Sequence, residues 1–242
     1  MLGVFSGTIV DPPEELVAAG SRTPSSKTKA SVLFDQFLEK NSPAVHVKIG
    51  HNEAILAYTH YNQSILNPRL FAVKDDIFCL FEGSLENLGS LIHYYGLSKG
   101  ANEVMLLIEA YKVLRDRHPY PPSEMLSHFH GKFSFIIFDS STSTIFVATD
   151  SEGKIPLYWG ITADGYVGFA NNLDLLKSAC GKSLATFPQG CFYSKPFGEL
   201  KSYEHPENKV TAIPAREEEI CGATFTVEGG NVLNQAPLKA LW

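Results

Sequence analysis

A chain of 242 residues with 44% apolar and 19% charged residues has the make-up of a folded globular protein and excludes a disordered one. The formal net charge of −6 is spread without an acidic block. Basic residues cluster only at Lys27 to Lys29 and Arg115 to His118, too briefly for a surface that must neutralise phosphates, so nucleic acid is not an expected partner.

Residues 1–10, with Leu2, Val4, Phe5, Ile9 and Val10, read as a buried strand that Pro12 and Pro13 end. The start MLGVFSGTIVDPPEE lacks the basic opening and apolar stretch of a secretory signal, and Gly3 is not placed for myristoylation. A polar loop follows over 20–28, then an amphipathic helix with Leu33, Phe34, Phe37 and Leu38 on one face. Short β-rich runs at 45–49, 54–60, 70–73 and 77–81 come next, with Asp75-Asp76 as a hairpin tip. Ser84 is expected to cap a helix carrying Leu88, Leu91, Ile92 and Tyr95, with Gly96 past its end. A second helix is expected from Asn102 to Asp116, where Leu107, Tyr111 and Leu114 share a face. Strands return at 132–138, 144–149, 156–159 and 166–169, and a short helix fits 172–179.

After Gly181 the pattern predicts strands at 190–194, 199–203, 209–213 and 223–227 and no helix. The last residues read as a loose tail in which Leu238, Leu241 and Trp242 are candidates to dock. This order is α+β, not the βαβ alternation of a parallel sheet. One domain over 1–242 is expected, with a core over about 1–180 and a β-rich extension over about 181–242. No apolar run reaches the roughly 20 residues of a membrane span. Cys79, Cys180, Cys191 and Cys221 lack CxxC spacing and read as reduced thiols, which fits the cytoplasm, with the nucleus open by diffusion. Cys180 and Cys191 bracket a Gly-containing loop, but a disulfide there is not the expectation.

The opening MLGVFSG, the run Phe81-Glu82-Gly83-Ser84-Leu85-Glu86-Asn87-Leu88, the helix start Asn102-Glu103-Val104, Gly131-Lys132-Phe133-Ser134-Phe135, and Ala148 to Gly160 stand in one order. Together they resemble the glutaminase domain of class II glutamine amidotransferases such as asparagine synthetase. That resemblance implies a four-layer αββα sandwich of the N-terminal-nucleophile type. Tyr95-Gly96-Leu97 and Leu114-Arg115-Asp116-Arg117, with Phe78 to Gly83 and Trp159 to Tyr166, are similar to motifs of plant aluminium-induced proteins, a group with stem-specific and auxin-repressed relatives. This second resemblance covers nearly the whole chain. It implies a stress- and hormone-responsive plant protein.

Class II amidotransferases attack the glutamine amide with an N-terminal cysteine whose own amino group takes the proton. At the matching position this chain has Leu2, and Leu2 should also keep Met1 in place. The family's Asn-Gly oxyanion donors are matched by Glu82-Gly83, and a carboxylate repels a developing oxyanion. The His-Arg pair that holds the substrate carboxylate is matched by His60-Tyr61, which removes the guanidinium fork. The Asp that would hold the substrate ammonium aligns with Ala101, or with Asn102 after a shift of one. By the resemblance, then, Met1, Leu2, His60, Tyr61, Glu82, Gly83, Ala101 and Asn102 mark the old pocket, and no catalytic residue is assigned.

The simplest readings of the remaining features are structural. Glu82 reads as a hydrogen-bonding group near Ser84, with a recast pocket for a cationic or amide ligand as the sharper option. His60 reads as a satisfied, half-buried histidine, and Asp150 with Lys154 as a turn clamp. His128 and His130 would share a strand face but lack a third ligand, so neither a metal nor a cofactor is expected. Arg115 and Arg117 are candidate partner contacts on a solvated helix end. The expectation is therefore a non-catalytic protein acting through a regulatory protein partner or an unidentified small molecule, and forming a homodimer. The alternative is a divergent amide hydrolase using Glu82 or His60 as base.

Overall fold

A two-residue tip sets the register of one long hairpin. Asp75 and Asp76 both adopt positive φ (51° and 62°), the backbone of a tight turn whose twist matches that of the strands it joins. The computed structural model describes residues 1–22, 25–61, 63–117, 120–195, 199–216 and 218–229. The C-terminal residues Leu238, Leu241 and Trp242 lie outside the described residues.

In chain order the first elements are β1 (Leu2–Phe5), α1 (Glu14–Arg22), α2 (Ala30–Lys40), β2 (Val45–Ile49), β3 (Ala54–Tyr58), β4 (Arg69–Lys74) and β5 (Ile77–Leu85). Then come α3 (Leu88–Tyr94), α4 (Glu103–Asp116), α5 (Pro122–Ser127), β6 (Gly131–Asp139), β7 (Thr144–Thr149), β8 (Tyr158–Ile161) and β9 (Val167–Ala170). The last are α6 (Leu173–Cys180), β10 (Leu184–Thr186), β11 (Cys191–Ser194), β12 (Glu199–Ser202), β13 (Val210–Pro214) and β14 (Ala223–Val227).

The chain forms two compact units, each assembled from separated segments. The first takes Met1–Tyr61, Pro156–Pro188 and the described residues from Asn208 onward; the second takes Asn62–Ile155 and Gln189–Glu207. The segment after 181 is thus divided: β10, β13 and β14 join the first unit, and β11 and β12 join the second.

The first unit holds a six-stranded sheet in the order β10-β8-β9-β1-β3-β2. Strand β1 is central, antiparallel to both β3 and β9, and all four of its residues are buried. Burial on both faces is why it reads as an unbroken apolar run and not as an alternation. Leu2 and Val4 enter the core against Leu33, Phe34 and Phe37 of α2 and Leu176 of α6, while Phe5 meets Phe169 edge-on at 6.1 Å. The β13–β14 hairpin belongs to this unit, and Phe225 packs its ring 5.3 Å from Trp159.

The second unit holds a six-stranded sheet in the order β12-β11-β7-β6-β5-β4. Its core joins Phe81, Phe133, Phe135 and Phe146 to Leu107, Tyr111 and Leu114 of α4 and to Met125 and Leu126 of α5. Spacings of four and three residues on α4 put those three side chains on the buried stripe.

Several expectations need correcting. Ser84 does not cap α3: β5 continues through it to Leu85, pairing Ser84 with Lys132, and Asn87 precedes the helix without a side-chain cap bond. His128 closes α5 and His130 precedes β6, so the two histidines share no strand. Helices α1 and α5 and strand β10 were not foreseen, and β1 ends at Phe5, well before Val10.

Both motifs of the second resemblance are helix ends. At Tyr95-Gly96-Leu97 the Gly96 N–H donates to His93 O and the Leu97 N–H to Ile92 O, the paired bonds of a Schellman stop, with Gly96 at φ 66°. At Leu114-Arg115-Asp116-Arg117, Leu114 is buried and Arg115 Nη1 bonds the wholly buried Asp139 Oδ2 at 3.0 Å, while Arg117 is exposed. Burial alone would raise the Asp139 carboxyl, but the Ser141 hydroxyl and the Arg115 guanidinium outweigh it and hold it below its ordinary value. A carboxyl whose folded pKa is depressed contributes stability that is present above the unfolded value of about 3.9 and is lost as pH falls through the folded value. Arg115→Ala should therefore lower stability by about 3 kcal/mol at neutral pH, the low end for stranding a buried charge, because Ser141 keeps its bonds to Asp139. Urea unfolding at pH 7 and at acid pH checks this, and the deficit should shrink once Asp139 is protonated.

Candidate functional site

The residues that match the amidotransferase pocket fall in both units, and each set is already engaged within its own unit. In the first unit, Leu2 is fully buried and lies opposite Ala57 on β3 and Ala170 on β9. Two small flanking side chains leave room for a leucine, and its burial is worth roughly 2 kcal/mol. The Met1 amino group donates to Asn171 Oδ1 at 2.8 Å. A leucine side chain offers no attacking atom, so the geometry that would present a nucleophile presents hydrocarbon.

His60 and Tyr61 lie just beyond β3. His60 is exposed, not half-buried, and its ring meets Tyr58 edge-on at 5.1 Å. Tyr61 is 54% exposed, and its backbone N–H donates to Thr59 Oγ1 at 3.0 Å. The chain turns outward here because the buried Thr59 hydroxyl is itself tied to Pro43 O at 2.8 Å.

In the second unit, Glu82 and Gly83 sit on β5. Glu82 is 9% exposed, and its Oε1 accepts from Arg69 Nε at 3.0 Å, a pair shielded from water on both sides. Arg69 and Glu82 are direct cross-strand partners on β4 and β5. The carboxylate therefore has an internal cation as a cross-strand partner. Sequence reasoning missed Arg69. Counting outward from the Asp75-Asp76 tip pairs 74 with 77 and reaches 69 opposite 82, so the signal was present. Gly83, the surviving oxyanion-type donor, gives its N–H to Pro68 O at 3.1 Å. Asn102 is the N-cap of α4, its Oδ1 accepting from Met105 N at 3.2 Å, and Ala101 N donates to Ser98 O.

The turn after β7 is a clamp. Asp150, 1% exposed, accepts Glu152 N and Lys154 N on Oδ1 and Phe133 N and Ile155 N on Oδ2, at 2.9 to 3.4 Å. Lys154 turns to Glu152 at 2.6 Å. All four cysteines are buried free thiols, and burial pushes the Cys180 and Cys191 thiols up to about 12, away from reactivity. Among the described residues no cluster of His, Cys, Asp and Glu could hold a metal ion, and no helix is long and apolar enough to cross a membrane.

Residues 2–227 match the family described as aluminium induced protein. The chain belongs to that family. The stem-specific protein TSJT1 of Nicotiana tabacum is 42% identical over 151 residues, which cover 61% of this chain and 99% of that relative. The glutamine-hydrolysing asparagine synthetase of Zea mays is 34% identical over 92 residues, 38% of this chain and 16% of the enzyme, so the likeness reaches only a small part of the synthetase. Among solved structures, one described as the allosteric regulatory enzyme of purine biosynthesis aligns with a TM-score of 0.50 at 11% identity, covering 84% of this chain and 48% of that one. At such identity the likeness speaks for fold alone, and the fold is of the class II, N-terminal-nucleophile amidotransferase type.

Proposed function

We propose that this member of the aluminium-induced family is a non-catalytic amidotransferase-like protein that acts by binding. The observation that carries this reading is the Gly83 N–H: the one oxyanion-type donor kept from the motif already donates to Pro68 O. An oxyanion hole works only if its donors are aimed at the charge that develops, and losing one costs about 2.7–4 kcal/mol of transition-state stabilisation. Here the second donor's position is taken by a carboxylate that accepts from Arg69, and the nucleophile position is Leu2.

The competing amide hydrolase would need a free base. Glu82 is not free: its Oε1 already accepts from Arg69 Nε at 3.0 Å. The expected outcome is that the purified protein releases no ammonia from L-glutamine, L-asparagine or γ-glutamyl amides above the buffer rate. Glutamine-dependent release that disappears in Glu82→Ala would establish the hydrolase instead. The binding role, its stress-responsive setting, a regulatory partner, the cytoplasmic location and homodimerisation all belong to the proposal. A strict monomer in sedimentation at high concentration would remove the last of these.

A further inference from the structure

The second unit carries a cleft lined by residues to which the sequence motifs assign no role. It has a volume of about 540 Å³, within the range of small-molecule sites. Four separate stretches of chain build it: the end of β5, the α5–β6 junction, the Asp150 turn, and the residues after β12. Phe129, Phe133 and Tyr203 contribute buried aromatic surface to the lining, and the Tyr203 hydroxyl is turned away to Thr149 O at 3.0 Å.

Around that lining stand Glu86, His130, Lys132, Glu204 and His205. None of these five side chains makes a hydrogen bond or close ion pair with a described residue, in contrast to Glu152 and Lys154 on the same lining, which pair with each other. Removing the satisfied pair leaves Lys132 as a fixed positive charge and Glu86 and Glu204 as fixed negative ones. Charges of both signs converging on one concavity select a ligand with both signs, and the excess of carboxylates selects one with surplus positive charge. Partial desolvation raises the Glu204 carboxyl from its ordinary value, with neighbouring His205 opposing, and a ligand cation beside it would favour the charged form.

We propose that this cleft binds a small zwitterion of the chemistry of a basic amino acid, its carboxylate meeting Lys132 and its ammonium groups meeting Glu86 and Glu204. The cleft adjoins the β5–β6 ladder but includes neither Glu82 nor Gly83, so the proposal goes beyond the non-catalytic reading and is tested separately from it.

The test is a titration of the whole protein, followed by amide NMR shifts, with L-lysine, L-glutamine, L-glutamate, Nα-acetyl-L-lysine and L-lysine methyl ester as probes. L-Lysine should give saturable shifts at millimolar concentration confined to residues around His130, Lys132 and Glu204. Glutamate should bind most weakly, and blocking either end of lysine should weaken it by about tenfold, the loss of one charge-assisted contact. Glu204→Gln and Lys132→Met, both at exposed positions that leave the core intact, should each do the same while circular dichroism stays unchanged. Three results would overturn the proposal: no saturable shift with any probe, shifts centred elsewhere, or lysine binding unaltered in both variants. The ammonia-release assay reads the non-catalytic proposal separately, because none of these variants alters β1 or the Glu82–Gly83 segment.

Discussion

Asp150→Ala is expected to destabilise the second unit by about 3–5 kcal/mol, because one buried carboxylate satisfies four backbone N–H groups and the substitution strands them. The bonds are not interchangeable. Those to Glu152 and Lys154 shape the turn itself, whereas those to Phe133 and Ile155 fasten the turn to the start of β6 and to the chain leaving the unit. Water can replace the first pair, since Glu152 and Lys154 are exposed, but cannot reach the buried Phe133 and Ile155. Asp150→Asn keeps one acceptor oxygen and should lose only about 1–2 kcal/mol. Equilibrium unfolding in urea distinguishes the two: a graded series Asp, Asn, Ala in the midpoint is expected, and equal midpoints for Asn and Ala would show that the carboxylate bonds are not what holds the turn.

Gly83→Ala should be at least as damaging. A Cβ built on Gly83 would lie 1.9 Å from Lys132 O and 2.9 Å from Phe133 Cα, and the residue sits at φ 128°, where a side chain is strained even in open space. Backbone atoms of the paired strand cannot swing aside as a long side chain could, so β5 and β6 would have to part along their longest shared ladder. A loss of about 4 kcal/mol or more, or failure to fold, follows from overpacking plus backbone strain. The measurement is again a urea midpoint, with Ser84→Ala on the next residue as a control expected to stay near the parent. This requirement explains how the glycine of an oxyanion motif is kept in a chain that uses neither the motif's asparagine nor its nucleophile: the close approach of β6 demands it. The surviving half of the motif is therefore an argument about packing and carries no weight for catalysis.

Which parts were readable from sequence follows from how local their causes are. Elements with long periodic patterns, such as α2, α4, β6 and β7, were legible because their own residues carry the apolar stripe or run. The first helix was not: Glu14–Arg22 buries only Leu16 and Ala19, carries Gly20, and follows two prolines that read as a stop. Helix α5 is a single short piece opened by Pro122, and β10 is three residues long, so neither offers a period to detect. At Ser84 the cap signal was overridden by the ladder to Lys132, a tertiary pairing stronger than a local preference.

The same distinction divides the site. The identity of Leu2 and Glu82 was visible at once, and Arg69 could have been found by counting from the hairpin tip. That Gly83 donates to Pro68, or that Asn102 spends its side chain on capping α4, depends on backbone geometry that composition does not encode. The zwitterion cleft is the extreme case. Its five charged or titratable groups come from three separated stretches of sequence, and no single motif brings them together.

Leu2 is thus one of several altered positions, and the rest have been absorbed into the fold. The most direct test is a Leu2→Cys chain, shown by intact mass to begin at the new cysteine and by circular dichroism to be folded. Its ammonia release from saturating L-glutamine is expected to stay at the buffer rate, because restoring the thiol leaves the other changes in place: the Gly83 N–H stays bonded to Pro68 O, position 82 keeps its carboxylate and position 61 has no arginine. Steady glutamine turnover that is abolished by alkylating the new cysteine would contradict the account.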